Sequence, residues 1–143
     1  MIPESPRAQA ADPPRSIPPA GRRRVLVVDD EPHIGRIIQL KLEQGPYEVQ
    51  VAHDGRAALE RLRTSAPVDL IVLDLMMPHA SGLEVLEEVR RLPHRRATPV
   101  IVLTARGQEA DRAEAARLGA SDFLTKPFSP KKLLARIDEL FAR

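Results

Sequence analysis

The sequence predicts an α/β fold, a doubly wound sheet of five parallel strands with helices on both faces. Three observations lead there. Apolar runs of strand length alternate with helix-period segments five times in about 120 residues. The third run, residues 68–73, is a near-continuous aliphatic stretch, the pattern of a strand buried on both faces. Three of the runs also end directly in charged residues: Asp29-Asp30, Asp74 and Lys126.

Each element has its own signal. The first strand lies near 24–29 and is followed by a helix over 32–44. Pro32 suits the first helical position, Ile34, Ile37, Ile38 and Leu42 line one face, and Gly45-Pro46 stops it. Residues 47–51 read as strand two and 55–63 as a short helix. Strand three spans 68–73. Ser81-Gly82-Leu83-Glu84 has capping-box spacing and opens a helix through Leu83, Leu86, Val89 and Leu92. Strand four is 99–103. An alanine-rich helix with a weak apolar face covers 107–118, and 122–125 is a short fifth strand. Ser129-Pro130 then opens a last helix with Leu133, Leu134, Ile137, Leu140 and Phe141 facing inward.

Composition fits one domain. The chain has 143 residues and is 43% hydrophobic, enough for a single core. It has no cysteine, which excludes disulfide staples and thiolate metal sites. No apolar run approaches the roughly 18 residues that a membrane span needs. The N-terminus lacks a secretory h-region, so the expected address is the cytoplasm and no membrane contact is expected. The net charge of +2 is uneven: residues 1–24 carry five arginines against Glu4 and Asp12, or +3, which leaves −1 for the rest. The basic excess thus lies largely in the N-terminal part, and direct nucleic-acid binding by this chain is not expected. Residues 1–22 hold six prolines without hydrophobic periodicity and read as a disordered Pro/Arg-rich arm before a domain over 23–143. Arg22-Arg23-Arg24 joins the two and reads first as a solvated leader, with a nucleic-acid or acidic-partner contact as the alternative. Arg90, Arg91, Arg95 and Arg96 read as a solvated basic cluster, and His33, His53, His79 and His94 as surface residues.

The chemistry lies at the strand ends. In an open parallel sheet, ligands sit outside the carboxyl ends of the strands. Asp29, Asp30, Asp74 and Lys126 would there share one small pocket. Crowded carboxylates repel unless a cation sits among them. A hard all-oxygen cluster with few protein ligands suits Mg²⁺, which keeps several waters and is often shared with a phosphate. The arrangement predicts a magnesium-assisted phosphoryl site with Asp74 as the nucleophile. Simpler readings stand beside this one. Asp29 or Asp30 would equally cap the following helix, Thr104 could be an ordinary strand-end threonine, and a core phenylalanine explains Phe123 nearly as well.

Four blocks carry a family resemblance: Val27-Val28-Asp29-Asp30-Glu31-Pro32; Asp74-Leu75-Met76-Met77-Pro78 with Gly82; Leu103-Thr104-Ala105; and Phe123-Leu124-Thr125-Lys126-Pro127-Phe128. Their order and spacing are similar to the signature of the CheY-like response-regulator receiver domain of two-component signalling. The resemblance implies a flavodoxin-like sheet in the order 2-1-3-4-5 and phosphoryl transfer to Asp74 from a sensor histidine kinase or a histidine phosphotransfer protein. It also implies direct Mg²⁺ ligation by Asp30, Asp74 and the Met76 backbone carbonyl, with Asp29 acting mostly through water. Lys126, before a cis Pro127, would pair with the phosphoryl oxygens. Thr104 would give a hydroxyl to one of them, and Phe123 would be the aromatic switch. Such a domain catalyses its own phosphorylation and slow dephosphorylation and is not an enzyme toward other substrates. Met76 and Arg106 flank the attacking-water path in this family and bear on the dephosphorylation rate.

The segment from Gly119 to Ile137 looks like that of winged-helix transcriptional regulators. Asp111, Asp122 and Arg136 match their dimer face, whereas Ser121 and Lys132 stand where acidic residues are common, so a phosphorylation-dependent homodimer is implied but weakened. The expected output is that of a stand-alone receiver acting through contacts with an unknown protein. The alternative is the receiver part of a longer winged-helix DNA-binding regulator. A magnesium phosphohydrolase working through an aspartyl-phosphate is a third reading; it would carry Asp-x-Asp after strand one, where this chain has Asp29-Asp30-Glu31. The same charges would repel a dinucleotide's pyrophosphate.

Overall fold

The computed structural model describes residues 22–77 and 80–142. The predicted arm over 1–22 falls, but for Arg22, outside the described residues, as does His79. Five strands alternate with five helices. They are β1 (Arg23–Val28), α1 (Pro32–Leu42), β2 (Tyr47–Ala52), α2 (Gly55–Arg63), β3 (Leu70–Asp74), α3 (Gly82–Arg91), β4 (Val100–Thr104), α4 (Glu109–Arg117), β5 (Asp122–Thr125) and α5 (Pro130–Ala142). All neighbouring strands pair in parallel, and the sheet order is β2-β1-β3-β4-β5. This is the doubly wound, flavodoxin-like fold with the 2-1-3-4-5 order that the sequence implied.

The period-2 alternation of the strands divides the core into two layers. Leu26, Val28, Ile71, Leu73, Val100 and Val102 pack beneath α2, α3 and α4. Val25, Val27, Leu70, Val72, Ile101 and Leu103 pack beneath α1 and α5. Every residue of β3 and β4 is buried. Those central strands therefore read as continuous aliphatic runs.

Local signals set the helix starts. Ser81 accepts from the Glu84 amide at 3.2 Å while Glu84 accepts from the Ser81 amide at 2.8 Å, a complete capping box. Asp54 caps α2 through the Ala57 amide at 2.7 Å. By contrast, α4 has no side-chain cap and buries only Ala115. Gly82 is fixed by packing: a Cβ there would lie 2.4 Å from the Asp74 carbonyl oxygen and 2.5 Å from Leu75 Cα. The missing side chain lets α3 begin directly against the end of β3.

Three expectations change. Ile37 is 46% exposed, because the inward stripe of α1 runs through Gly35, Ile38 and Leu42 and leaves Ile37 on the flank. Arg95 is no solvated residue: it is buried, and its guanidinium donates to the carbonyls of Leu62, Thr64 and Ala66 at 2.6–3.0 Å. Arg90 likewise donates to the carbonyls of Leu118, Gly119, Arg96 and Thr98. Chain ends of α2 and α4 leave carbonyls without helical partners, and these two arginines satisfy them. The Arg22-Arg23-Arg24 junction is also engaged. Arg22 donates to the Tyr47 carbonyl, Arg23 lies 4.3 Å over the Phe141 ring, and Arg24 pairs with Glu48 at 3.1 Å. Among the described residues no helix is long and apolar enough to cross a membrane.

Candidate functional site

The site forms where β1, β3 and β5 end together. Val28 lies beside Leu73 in the register, so Asp29 follows its strand next to Asp74. One oxygen from each of Asp29, Asp30 and Asp74 lies within 4.8 Å of the others. Asp29 is fully buried, Asp74 is buried and Asp30 is partly exposed.

Lys126 enters from the end of β5. Its Nζ lies 3.0 Å from Asp74 Oδ2, 3.1 Å from Asp29 Oδ2 and 3.3 Å from Glu31 Oε1. One ammonium is thereby divided among three carboxylates. The Lys126 amide donates to the Thr104 carbonyl at 2.7 Å, which ties the ends of β4 and β5 together, and the Lys126-Pro127 peptide is cis. Asp74 Oδ1 accepts from the Met76 amide at 3.0 Å, and Asp29 Oδ1 accepts from the Glu31 amide at 2.9 Å.

Electrostatics follow from this crowding. Burial pushes the Asp74 carboxyl above its ordinary 3.8, opposed by the Met76 amide and by Lys126, and helped upward by the charge of Asp29. Burial likewise disfavours the Lys126 charge. The bonds and attraction of Asp74 and then Asp29 outweigh that loss, so its pKa is raised. Both shifts point upward because Lys126 is shared: it gains from several carboxylates, while Asp74 receives only part of one counter-charge.

A cation fits the donor set. Asp29 Oδ2 is buried without an aligned hydrogen-bond donor, although Lys126 is near. Three carboxylates face each other with a single ammonium between two of them. Such hard oxygen donors suit a small divalent ion that keeps part of its water shell. Asp29, Asp30 and Asp74 are the residues that could hold it.

The remaining predicted residues lie close by. Thr104 is buried at the end of β4, beside Thr125 in the register. Met76 is 51% exposed. Phe123 is partly buried against the core layer beneath α3 and α4, and the Arg112 guanidinium sits 4.7 Å over its ring. Asp122 and Arg136 form an ion pair within this one chain, and Asp111 lies in the first turn of α4.

With this geometry the family match is decisive: the model of the response regulator receiver domain aligns with residues 25–138. The chain belongs to the response-regulator receiver family. It is 43% identical over 121 residues to the phosphate regulon transcriptional regulatory protein PhoB of Escherichia coli K12, covering 85% of this chain and 52% of PhoB. It is 41% identical over 121 residues to the alkaline phosphatase synthesis transcriptional regulatory protein PhoP of Bacillus subtilis, covering 85% and 49%. The receiver domain thus spans about half the length of these curated relatives. Among solved structures, the receiver domain of the Francisella response regulator 1452 superposes with a TM-score of 0.76 at 37% identity, covering 85% of this chain and 98% of that one. DrrB of Thermotoga maritima, an OmpR/PhoB homolog, gives 0.75 at 31% identity, covering 85% and 54%.

Two participants escaped the sequence reading of this receiver domain. Glu31 was part of the first block but had no role, yet it touches Lys126. Its adjacency to Asp30 in the same strand-end turn was the available signal. Arg112 was missed because its contact with Phe123 joins two elements, and no local pattern reports that.

Proposed function

We propose that this receiver domain takes a phosphoryl group onto Asp74 from a phosphohistidine donor, with Mg²⁺ held by Asp29, Asp30, Asp74 and the Met76 carbonyl. The observation that carries the reading is Asp74 itself, a buried carboxylate held by the Met76 amide and by Lys126 at the mouth of an acidic cluster. In the step, an Asp74 carboxylate oxygen forms the new P–O bond while the donor's P–N bond breaks. The electron pair stays on the imidazole nitrogen, and ionised Asp74 has no proton to lose. Bound Mg²⁺ would neutralise charge on the phosphoryl oxygens. Lys126 can swing from carboxylate to phosphoryl oxygen with little travel, and Thr104 can donate its hydroxyl to another. Exposed apolar surface beside the site supports a protein donor: Ile37 and Leu40 are exposed, and a groove of about 440 Å³ between α1 and the β5–α5 loop is lined by Ile34, Ile37, Pro127 and Phe128.

For output, the transcriptional relatives and the half-length coverage favour the alternative over the stand-alone reading. We infer that the domain acts as the receiver part of a DNA-binding regulator, with the contact to DNA made by another segment. The fragment length of the native gene product, read from its intact mass in cells, tests this. A product no longer than this chain would return the output to protein contacts alone.

Phosphorylation is tested with acetyl phosphate and Mg²⁺. The parent should gain a hydroxylamine-labile phosphoryl group, and Asp74→Asn should gain none, because the amide keeps the shape and removes the nucleophile. Phosphate on the variant, or on a histidine, would sink the assignment.

A further inference from the structure

Glu31 occupies a place that no assigned role explains. Its carboxylate lies 3.3 Å from Lys126 Nζ, the longest of the three carboxylate contacts, and its side chain is 51% exposed against 0% for Asp29 and 3% for Asp74. An ammonium has three protons, and three carboxylates now face it. When a phosphoryl group arrives on Asp74, Lys126 must release a partner to reach it. Asp29 is buried and belongs to the cation cluster. Asp74 carries the carboxylate being modified. Glu31 is the outermost partner and the cheapest to release.

We propose that Glu31 is a positioning residue that engages Lys126 before phosphorylation and opposes the incoming phosphoryl group, setting how fast Asp74 is charged. The inference rests on the phosphoacceptor reading of Asp74. Its physical content is twofold. Glu31 competes for the ammonium, and its negative charge repels a phosphoryl dianion at the mouth. Both costs arise as the group enters from solvent. With acetyl phosphate the Asp74 oxygen forms a P–O bond as the donor's acyl P–O bond breaks, and acetate leaves with the electron pair. During later hydrolysis the phosphoryl group is present in both ground and transition states, so the repulsion largely cancels. Glu31 should therefore affect charging and leave the lifetime almost unchanged.

The test compares the parent with Glu31→Gln, which keeps length and volume, and Glu31→Asp, which draws the carboxylate back by one methylene. The second-order rate of charging by acetyl phosphate and the decay of the phosphorylated form are measured at saturating Mg²⁺. Glu31→Gln should charge roughly five-fold faster, equivalent to about 1 kcal/mol off the barrier, with a lifetime within about twofold of the parent's because both hydrolysis states carry the charge. Glu31→Asp should fall between. The gain should shrink at high ionic strength, since Glu31 is half exposed and its field is screened; a loosened site would not show that salt dependence. Equal or slower charging by Glu31→Gln, in a parent that is phosphorylated on Asp74, overturns the inference alone. A parent that takes up no phosphoryl group overturns the phosphoacceptor reading and this inference with it.

Discussion

Asp74 is a carboxylate that the fold would hold more easily as an acid. Burial favours its protonated form, and Lys126 and the Met76 amide only partly offset that. The sign of the linkage follows. With its pKa raised in the folded state, Asp74 contributes stability that is fully present below its ordinary 3.8 and is lost as pH rises through the folded value. At neutral pH, without a divalent cation, ionised Asp74 therefore costs stability. Asp74→Asn should melt a few degrees above the parent at pH 7 in chelator, and the gap should close as pH falls below the ordinary carboxylate range. Added Mg²⁺ should narrow the gap at pH 7 by holding the ionised form. Calorimetric melts over pH check this, and a variant less stable than the parent at neutral pH would show that the Lys126 pairing outweighs burial.

Helices differ in how they are held, and that decides what a change in each would do. α2 ends against Arg95, whose three bonds reach carbonyls that no helical amide can satisfy. Arg95→Ala should cost about 2 kcal/mol, because bonds from a charged donor are lost, while the His94 ring nitrogen, 3.0 Å from the Leu62 carbonyl and 2.8 Å from the Thr64 carbonyl, still reaches one of the acceptors. Urea melts measure it, and a loss under about 1 kcal/mol, the worth of an ordinary hydrogen bond, would mean that water and the His94 ring replace the guanidinium. The same contrast shows what the sequence could reveal. Strand and helix order, the Ser81–Glu84 box and the charged strand ends were legible because each is written in adjacent residues or one period. Arg90 and Arg95 were not. Their partners lie 28–33 residues away for the helix-end carbonyls of Leu118 and Leu62, and a run of arginines reads identically whether solvated or buried. Ile37 was misread for a finer reason: its angle on α1 lies at the edge of the apolar stripe, where neighbouring Phe128 and Pro130 leave a groove. In the site, the residues at strand ends could be named, whereas Glu31 on Lys126 and Arg112 on Phe123 depend on how separate elements meet.

Across the whole molecule, β4 runs between the acidic site at Asp74 and the α4–β5–α5 face. Val102 and Thr104 share one face of that strand, and Phe123 sits beside Val102 in the register, diagonal to Thr104. Arg112 over the Phe123 ring extends the line to α4, which has only Ala115 as a buried anchor. A new anion on Asp74 would draw the Thr104 hydroxyl inward, open space for the Phe123 ring and release Arg112. A charge change at one site would then bias a weakly anchored helix. Thr104→Ala should therefore accept phosphate at Asp74 nearly as the parent does, yet fail to pass the signal on. Beryllofluoride, as a phosphoryl mimic, should alter amide exchange across residues 105–128 in the parent and leave Thr104→Ala largely unchanged there. Sedimentation gives a second reading at the same face. Asp122 and Arg136 pair within one chain, so a phosphorylation-dependent dimer that uses these two residues across its interface would have to exchange that pair between chains. The parent with beryllofluoride should then gain dimer and Thr104→Ala should not. Equal exchange changes and equal dimer in both proteins would mean that the signal reaches α4 without passing through Thr104.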